Sequence, residues 1–125
     1  MIYTGCFSNI VKYKNFTPMR TISIARSMPK FAAPYVGGVD WALAPTWDML
    51  QEYKQGALSI DEYTEQFNRQ LSTLQSWDIA DRHNGCILLC WEQPNEFCHR
   101  HLVSKWLRDS GYKCEEYGGE YAVED

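Results

Sequence analysis

CILLCWEQPNEFCHRHLVSKWLRDSGYKCEEY, Cys86–Tyr117, is the stretch that decides the fold. Its first six residues, Cys86–Trp91, are all apolar and of strand length. An unbroken run of that kind suits a central strand covered on both faces. A short polar connection follows, and a helix then opens on Cys98-His99-Arg100. That helix places Leu102, Val103, Trp106 and Leu107 on one side, and Asp109-Ser110-Gly111 closes it, with Gly111 as the left-handed cap residue. Tyr112–Tyr117 reads as the next strand. Strand, helix, strand over about 30 residues is a βαβ unit, and such units carry parallel strands joined by a right-handed crossover.

Working outward, Ser59 and Glu62 form an S-x-x-E capping box. Behind it Ile60, Tyr63, Phe67, Leu71 and Leu74 recur at spacings of three and four, one apolar helical stripe that reads as core. Thr46 caps an earlier helix, Trp47–Gln55, which Gly56 ends. Thr21–Ala25 alternates isoleucine with small residues and predicts a strand, with Arg26 at its end. Met1–Phe7 predicts another, after which Ser8-Asn9 caps a short helical turn through Ile10 and Val11. Between them, Ser27–Pro45 is an irregular stretch carrying three prolines and Gly37-Gly38. Loops of that length are often functional. The expected architecture is a small α/β three-layer sandwich with a mostly parallel, Rossmann-like sheet. One domain is expected over residues 1–117, followed by a mobile acidic tail over 118–125, GGEYAVED.

Composition narrows the class. Eighteen of the 125 residues are aromatic, which a disordered chain would not be. No apolar run reaches the roughly 18 residues that a membrane span needs. MIYTGCFSNIVKYK lacks a basic start followed by an apolar core, so no secretory leader is expected. Five cysteines at irregular spacing then read as reduced thiols in a cytoplasmic protein. Net charge is −4, yet no acidic residue precedes Asp40, while Lys12, Lys14, Arg20, Arg26 and Lys30 do. A basic N-terminal third is able to meet an anion or simply to be solvated. The acidic whole disfavours a protein that coats DNA.

The chemistry concentrates where the apolar strand meets the helix. Free backbone N–H groups and the helix dipole favour anions and thiolates there. Cys98 is thus a candidate nucleophile or polar contact, against the plainer reading of a packed cap-region cysteine. Glu92 and His99 are the acid/base candidates, with orientation of a neighbour as the competing role for Glu92. Arg100 sits in the first turn, where a cation does not help its own helix and needs an anionic partner. That partner is either a ligand or a carboxylate such as Glu92 or Glu96. Arg26 and Cys90 complete the ligand-binding candidates. His99 and His101 diverge by about 200° on a helix. Cys90, Cys98 and His101 are able to converge, but C-x7-C-x2-H matches no common zinc pattern and lacks a fourth ligand. No metal and no cofactor is therefore expected, and no nucleotide-loop or hydrolase-elbow motif is present.

The residues Leu88-Leu89-Cys90-x-Glu92, followed by Cys98-His99-Arg100, resemble the bacterial and phage proteins grouped as the domain-of-unknown-function 488 family. MIYTGCF, TISIA and Leu43-Ala44-Pro45 are similar too, so the likeness covers most of the chain. It implies an α/β three-layer domain with the C-x-E and C-H-R residues around a pocket, and it carries no established reaction.

These readings favour a pocket for an anionic small molecule or nucleic-acid fragment, nucleotide-like in character, with hydrolysis or group transfer as the chemistry. The alternative is a non-enzymatic module that binds nucleic acid or protein through its basic N-terminal third. A third reading makes the corner a structural lock between Glu92 and Arg100. No membrane association is expected, and the oligomeric state is open.

Overall fold

The computed structural model describes residues 1–92 and 96–118. Among these residues five strands and five α-helices follow in the order β1 Ile2–Cys6, α1 Ile10–Phe16, β2 Arg20–Ser23, β3 Gly38–Val39, α2 Trp47–Lys54, α3 Ile60–Ser72, α4 Ser76–Arg82, β4 Cys86–Cys90, α5 His99–Asp109 and β5 Cys114–Glu116. The strands form one sheet in the order β3-β2-β4-β1-β5. Every neighbouring pair is parallel. The expected α/β sandwich is thus the observed one, and the sheet is parallel throughout its described strands. The tail residues 119–125, including most of the predicted acidic segment, lie outside the described residues, as do 93–95 of the polar connection.

The connection from β1 to β2 passes over β4, and that from β4 to β5 passes over β1. With right-handed crossovers, opposite directions send the two connecting helices to opposite faces. The packing agrees. Ile10 and Tyr13 of α1 cluster with Ile87 and Leu89 of β4. Leu88 instead packs with Phe67 and Leu71 of α3 and Val103 and Leu107 of α5. All five β4 residues are buried, as a strand covered on both faces demands. Gly5 lets α1 approach closely: a Cβ there would lie 2.7 Å from the Tyr13 hydroxyl. That hydroxyl also accepts a hydrogen bond from the Cys6 N–H at 3.1 Å.

Local signals explain most of the elements. The Ser59–Glu62 capping box forms in both directions, and Thr46 accepts from the Met49 N–H. Gly111, at φ 96°, takes the left-handed conformation after α5. Four expectations need correction. Ile60 is about half exposed rather than core, because it occupies the first helical position before the stripe turns inward. Trp91 lies beyond β4 and is exposed. The turn after β1 is a full helix, and Asn9 makes no side-chain cap bond. The irregular 27–45 stretch hides β3, whose register is set by β2 through Ile22–Gly38 and Ser23–Val39.

A buried polar pair closes that stretch against α4. Asp40 Oδ2 lies 2.6 Å from His83 Nε2, and Arg82 approaches the same oxygen at 3.4 Å. The hydrogen bond with His83 holds the Asp40 carboxyl below its ordinary value, against the opposing effect of burial.

Candidate functional site

In parallel sheets, ligands gather beyond the carboxyl ends of the strands, near the point where strand order reverses. Here β1 and β4 are neighbours whose onward connections leave in opposite directions. A cavity of about 410 Å³ opens beyond the ends of β2 and β4 and against the start of α5. Its floor is Cys90, Glu92, Cys98 and His99; Arg26, Lys54, Trp47, Tyr53, Tyr63 and Phe97 are among its walls. That volume suits a small ligand.

Cys98 is the N-cap residue of α5, extended at φ −154° and ψ 144°, and its side chain makes no cap bond. It is therefore left to face its neighbours. His99 Nδ1 lies 3.4 Å from the Cys90 sulfur and 3.9 Å from the Cys98 sulfur. The other ring nitrogen, Nε2, is 2.6 Å from the Ile24 carbonyl. A carbonyl only accepts, so Nε2 carries a proton and Nδ1 is the atom presented to the sulfurs. The edge of the ring packs against Phe67 at 5.3 Å between centroids, which fixes its plane. The Cys90 sulfur also lies 3.5 Å from Glu92 Oε2.

The electrostatics of the cluster are unequal. Burial alone would push the Cys98 thiol up, but hydrogen bonds from Cys90 and His99, with the charges of His99 and Arg100, outweigh it and bring the thiol well below its ordinary value. Burial pushes the Cys90 thiol up, and its neighbour Cys98 adds to the rise. Burial and then the charge of Cys98 raise the Glu92 carboxyl. The two sulfurs are thus driven apart, Cys98 toward thiolate and Cys90 toward thiol, and the Glu92 carboxyl is shifted upward beside them.

Arg100 is placed differently from the expectation. It is completely buried and does not line the cavity. Its Nη2 donates to Glu116 Oε2 at 2.8 Å and its Nε to Oε1 at 3.1 Å, a bidentate pair. Thr4 Oγ1 donates to the same carboxylate at 2.6 Å. Arg100 Nη1 donates to the main-chain carbonyl of Glu92 at 2.7 Å. Its carboxylate partner is therefore Glu116, at the end of β5, and Glu92 contributes its backbone rather than its side chain. The physical reason is topological: in a βαβ unit the helix begins beside the carboxyl end of its second strand. Burial works against the arginine's charge, and the hydrogen bonds of Glu116 more than restore it.

Arg26 does line the cavity. Its Nε donates to the Pro45 carbonyl at 2.9 Å, and its guanidinium lies 5.3 Å from the centre of the Trp41 ring. Among the described residues no carboxylate pairs with it. Sequence reasoning missed the aromatic wall. Phe97 packs on Tyr53 and Tyr63 with centroids 5.7 and 5.3 Å apart. The helical stripe marked Tyr63 as core but gave no sign of open space beside it; the aromatic excess was the available hint. His101, the histidine considered with the two cysteines, is not part of the cluster, which His99 joins instead.

All five cysteines are free thiols and buried. Among the described residues no helix is long and apolar enough to cross a membrane. No curated protein and no solved structure matches the chain. A family model described as the active DUF488-N3 subclade matches residues 19–111 of the 125. That span holds β2 to α5 and every side chain on the cavity floor. The chain belongs to the DUF488 family.

Proposed function

We propose that this protein is an enzyme that binds a nucleotide-like anion in the cavity and hydrolyses or transfers a group at a bond held over Glu92, Cys98 and His99. The observation that carries the reading is convergence: a carboxyl, two thiols and an imidazole form the floor of one cavity with aromatic walls and a basic rim. Aromatic rings such as Tyr53 and Phe97 suit a planar base, since stacking tolerates any base with a π-face. Arg26, held by carbonyls and lacking a carboxylate, suits a phosphate. Glu92 moves the proton, Cys98 supplies the nucleophile, and His99 is the acid/base partner of the sulfur. Arg100 acts as a positioning residue, because it fixes the Glu92 backbone and the start of α5 without reaching the cavity. The description of the matching subclade as active supports an enzyme over a binding module.

Calorimetry with adenosine monophosphate, ribose 5-phosphate and inorganic phosphate tests this. The nucleotide is expected to bind most tightly, with Cys98→Ala and Glu92→Gln abolishing turnover but sparing binding. Binding that ignores Arg26→Ala and collapses with salt and with neutralisation of Lys12 and Lys14 would instead indicate a backbone-binding module.

A further inference from the structure

We propose that Cys90, Cys98 and His99 form a zinc site, with Glu92 beside its fourth position. Among the described residues these three bring one ligand atom each to within 4.8 Å of one another, and each is buried. The two sulfur–nitrogen separations have the size that a shared ion requires. Zinc–sulfur bonds of about 2.3 Å and a zinc–nitrogen bond near 2.05 Å, at tetrahedral angles, place sulfur and nitrogen roughly 3.6 Å apart. The two observed separations, 3.4 and 3.9 Å, bracket that figure.

The imidazole is also oriented as a ligand. A metal-bound histidine commonly donates its second N–H to a carbonyl or carboxylate, which fixes the tautomer. His99 does so at Ile24, and this leaves Nδ1 facing the sulfurs. Two thiolates and an imidazole are a soft, nitrogen-bearing set that favours zinc over magnesium or calcium. Three protein ligands with an open position are typical of catalytic rather than structural zinc. The open side here belongs to the cavity, with the Glu92 carboxylate 3.5 Å from the Cys90 sulfur.

The inference deepens the proposed function, since it names a cofactor for the same cavity floor. With zinc bound, Cys98 becomes a ligand, and Glu92 is left as the acid/base group beside the ion. The spacing that matched no common zinc pattern is explained by the ligands coming from a strand end and a helix start, with the adjacent pair Cys98-His99 rather than His101.

The test is metal analysis of freshly purified full-length protein, followed by titration of the stripped protein with cobalt(II). One equivalent of zinc is expected, as are an intense tetrahedral cobalt spectrum and a thiolate-to-cobalt charge-transfer band. Cys90→Ser, Cys98→Ser and His99→Ala should each weaken binding by more than the ~10–100-fold that loss of an outer partner causes. Cys114→Ser, a buried thiol on β5, should leave it unchanged. A missing charge-transfer band in the parent protein overturns the proposal whether or not the variants fold, as does a band whose intensity and cobalt affinity are unchanged in both Cys90→Ser and Cys98→Ser. Nucleotide titration of stripped and loaded protein separates the two readings. Nucleotide affinity in a protein that fails to bind zinc or cobalt removes only the zinc site, and metal binding without nucleotide affinity removes only the proposed function.

Discussion

The first turn of α5 faces two ways, and its two sides are built on opposite principles. Toward β1 and β5, Arg100 meets a carboxylate, a backbone carbonyl and, through Glu116, the Thr4 hydroxyl. That network is closed. Toward β2 and the cavity, Cys98 and His99 meet another thiol and a half-buried carboxyl, and the environment shifts the two thiols in opposite directions. That network is open, because its groups line the cavity. Burial is similar on the two sides, so burial alone does not separate a structural charge from a reactive one. What separates them is whether each charge already has a complement. Arg26 makes the point from the other strand: half-buried, lining the cavity and paired with no carboxylate among the described residues, it is the arginine suited to a ligand.

The comparison breaks most readily at Arg100. Arg100→Met should cost roughly 3–5 kcal/mol, the range for stranding one member of a buried ion pair, here Glu116. Cys98→Ser should cost far less while removing function, and urea denaturation of the two variants measures the contrast. Equal losses would mean that both sides of the turn are structural.

A smaller loss, about 1–3 kcal/mol, is expected for Asp40→Asn, which weakens the buried contact with His83. Because the folded Asp40 carboxyl lies below its ordinary value of 3.8, its contribution is present above that value. It is lost as pH falls through the lower folded value. Stability measured across that acid window should therefore decline more steeply in the parent than in Asp40→Asn. Identical slopes would show that His83 does not govern Asp40.

The smallest effect tests the open side alone. Arg26→Ala should leave the denaturation midpoint almost unmoved and weaken adenosine monophosphate binding about tenfold, equivalent to ~1.4 kcal/mol. If stability falls and affinity holds, Arg26 belongs with Arg100 as scaffold.

Local chemistry explains which parts were legible. The β4 run, the capping box of α3 and the Gly111 stop each carry their signal within a few residues, so reading them requires no knowledge of the rest of the chain. β3 could not be read that way, since Gly38 and Val39 become a strand only through pairing with β2. α4, seven residues after a Gln75 cap that makes no side-chain bond, has no start signal either. At the site, Cys90, Glu92, Cys98 and His99 were visible as chemistry close together in sequence. The Arg100 partner was not, because Glu116 lies sixteen residues away and reaches Arg100 through the crossover. The aromatic wall was obscured for a different reason: periodicity reports which face of a helix is covered, not whether ligand space lies beside it.

The sheet's outer strands have one more consequence. An exposed edge offers unpaired backbone groups on which a second chain can build. Here one edge is the two-residue β3 and the other the three-residue β5, which ends in Glu115 and Glu116. The long, apolar β4 sits in the middle, with β2 on one side and β1 on the other. The arrangement places the apolar β4 where no second chain can pair with it, and among the described residues leaves at the margins segments too short or too charged to template growth.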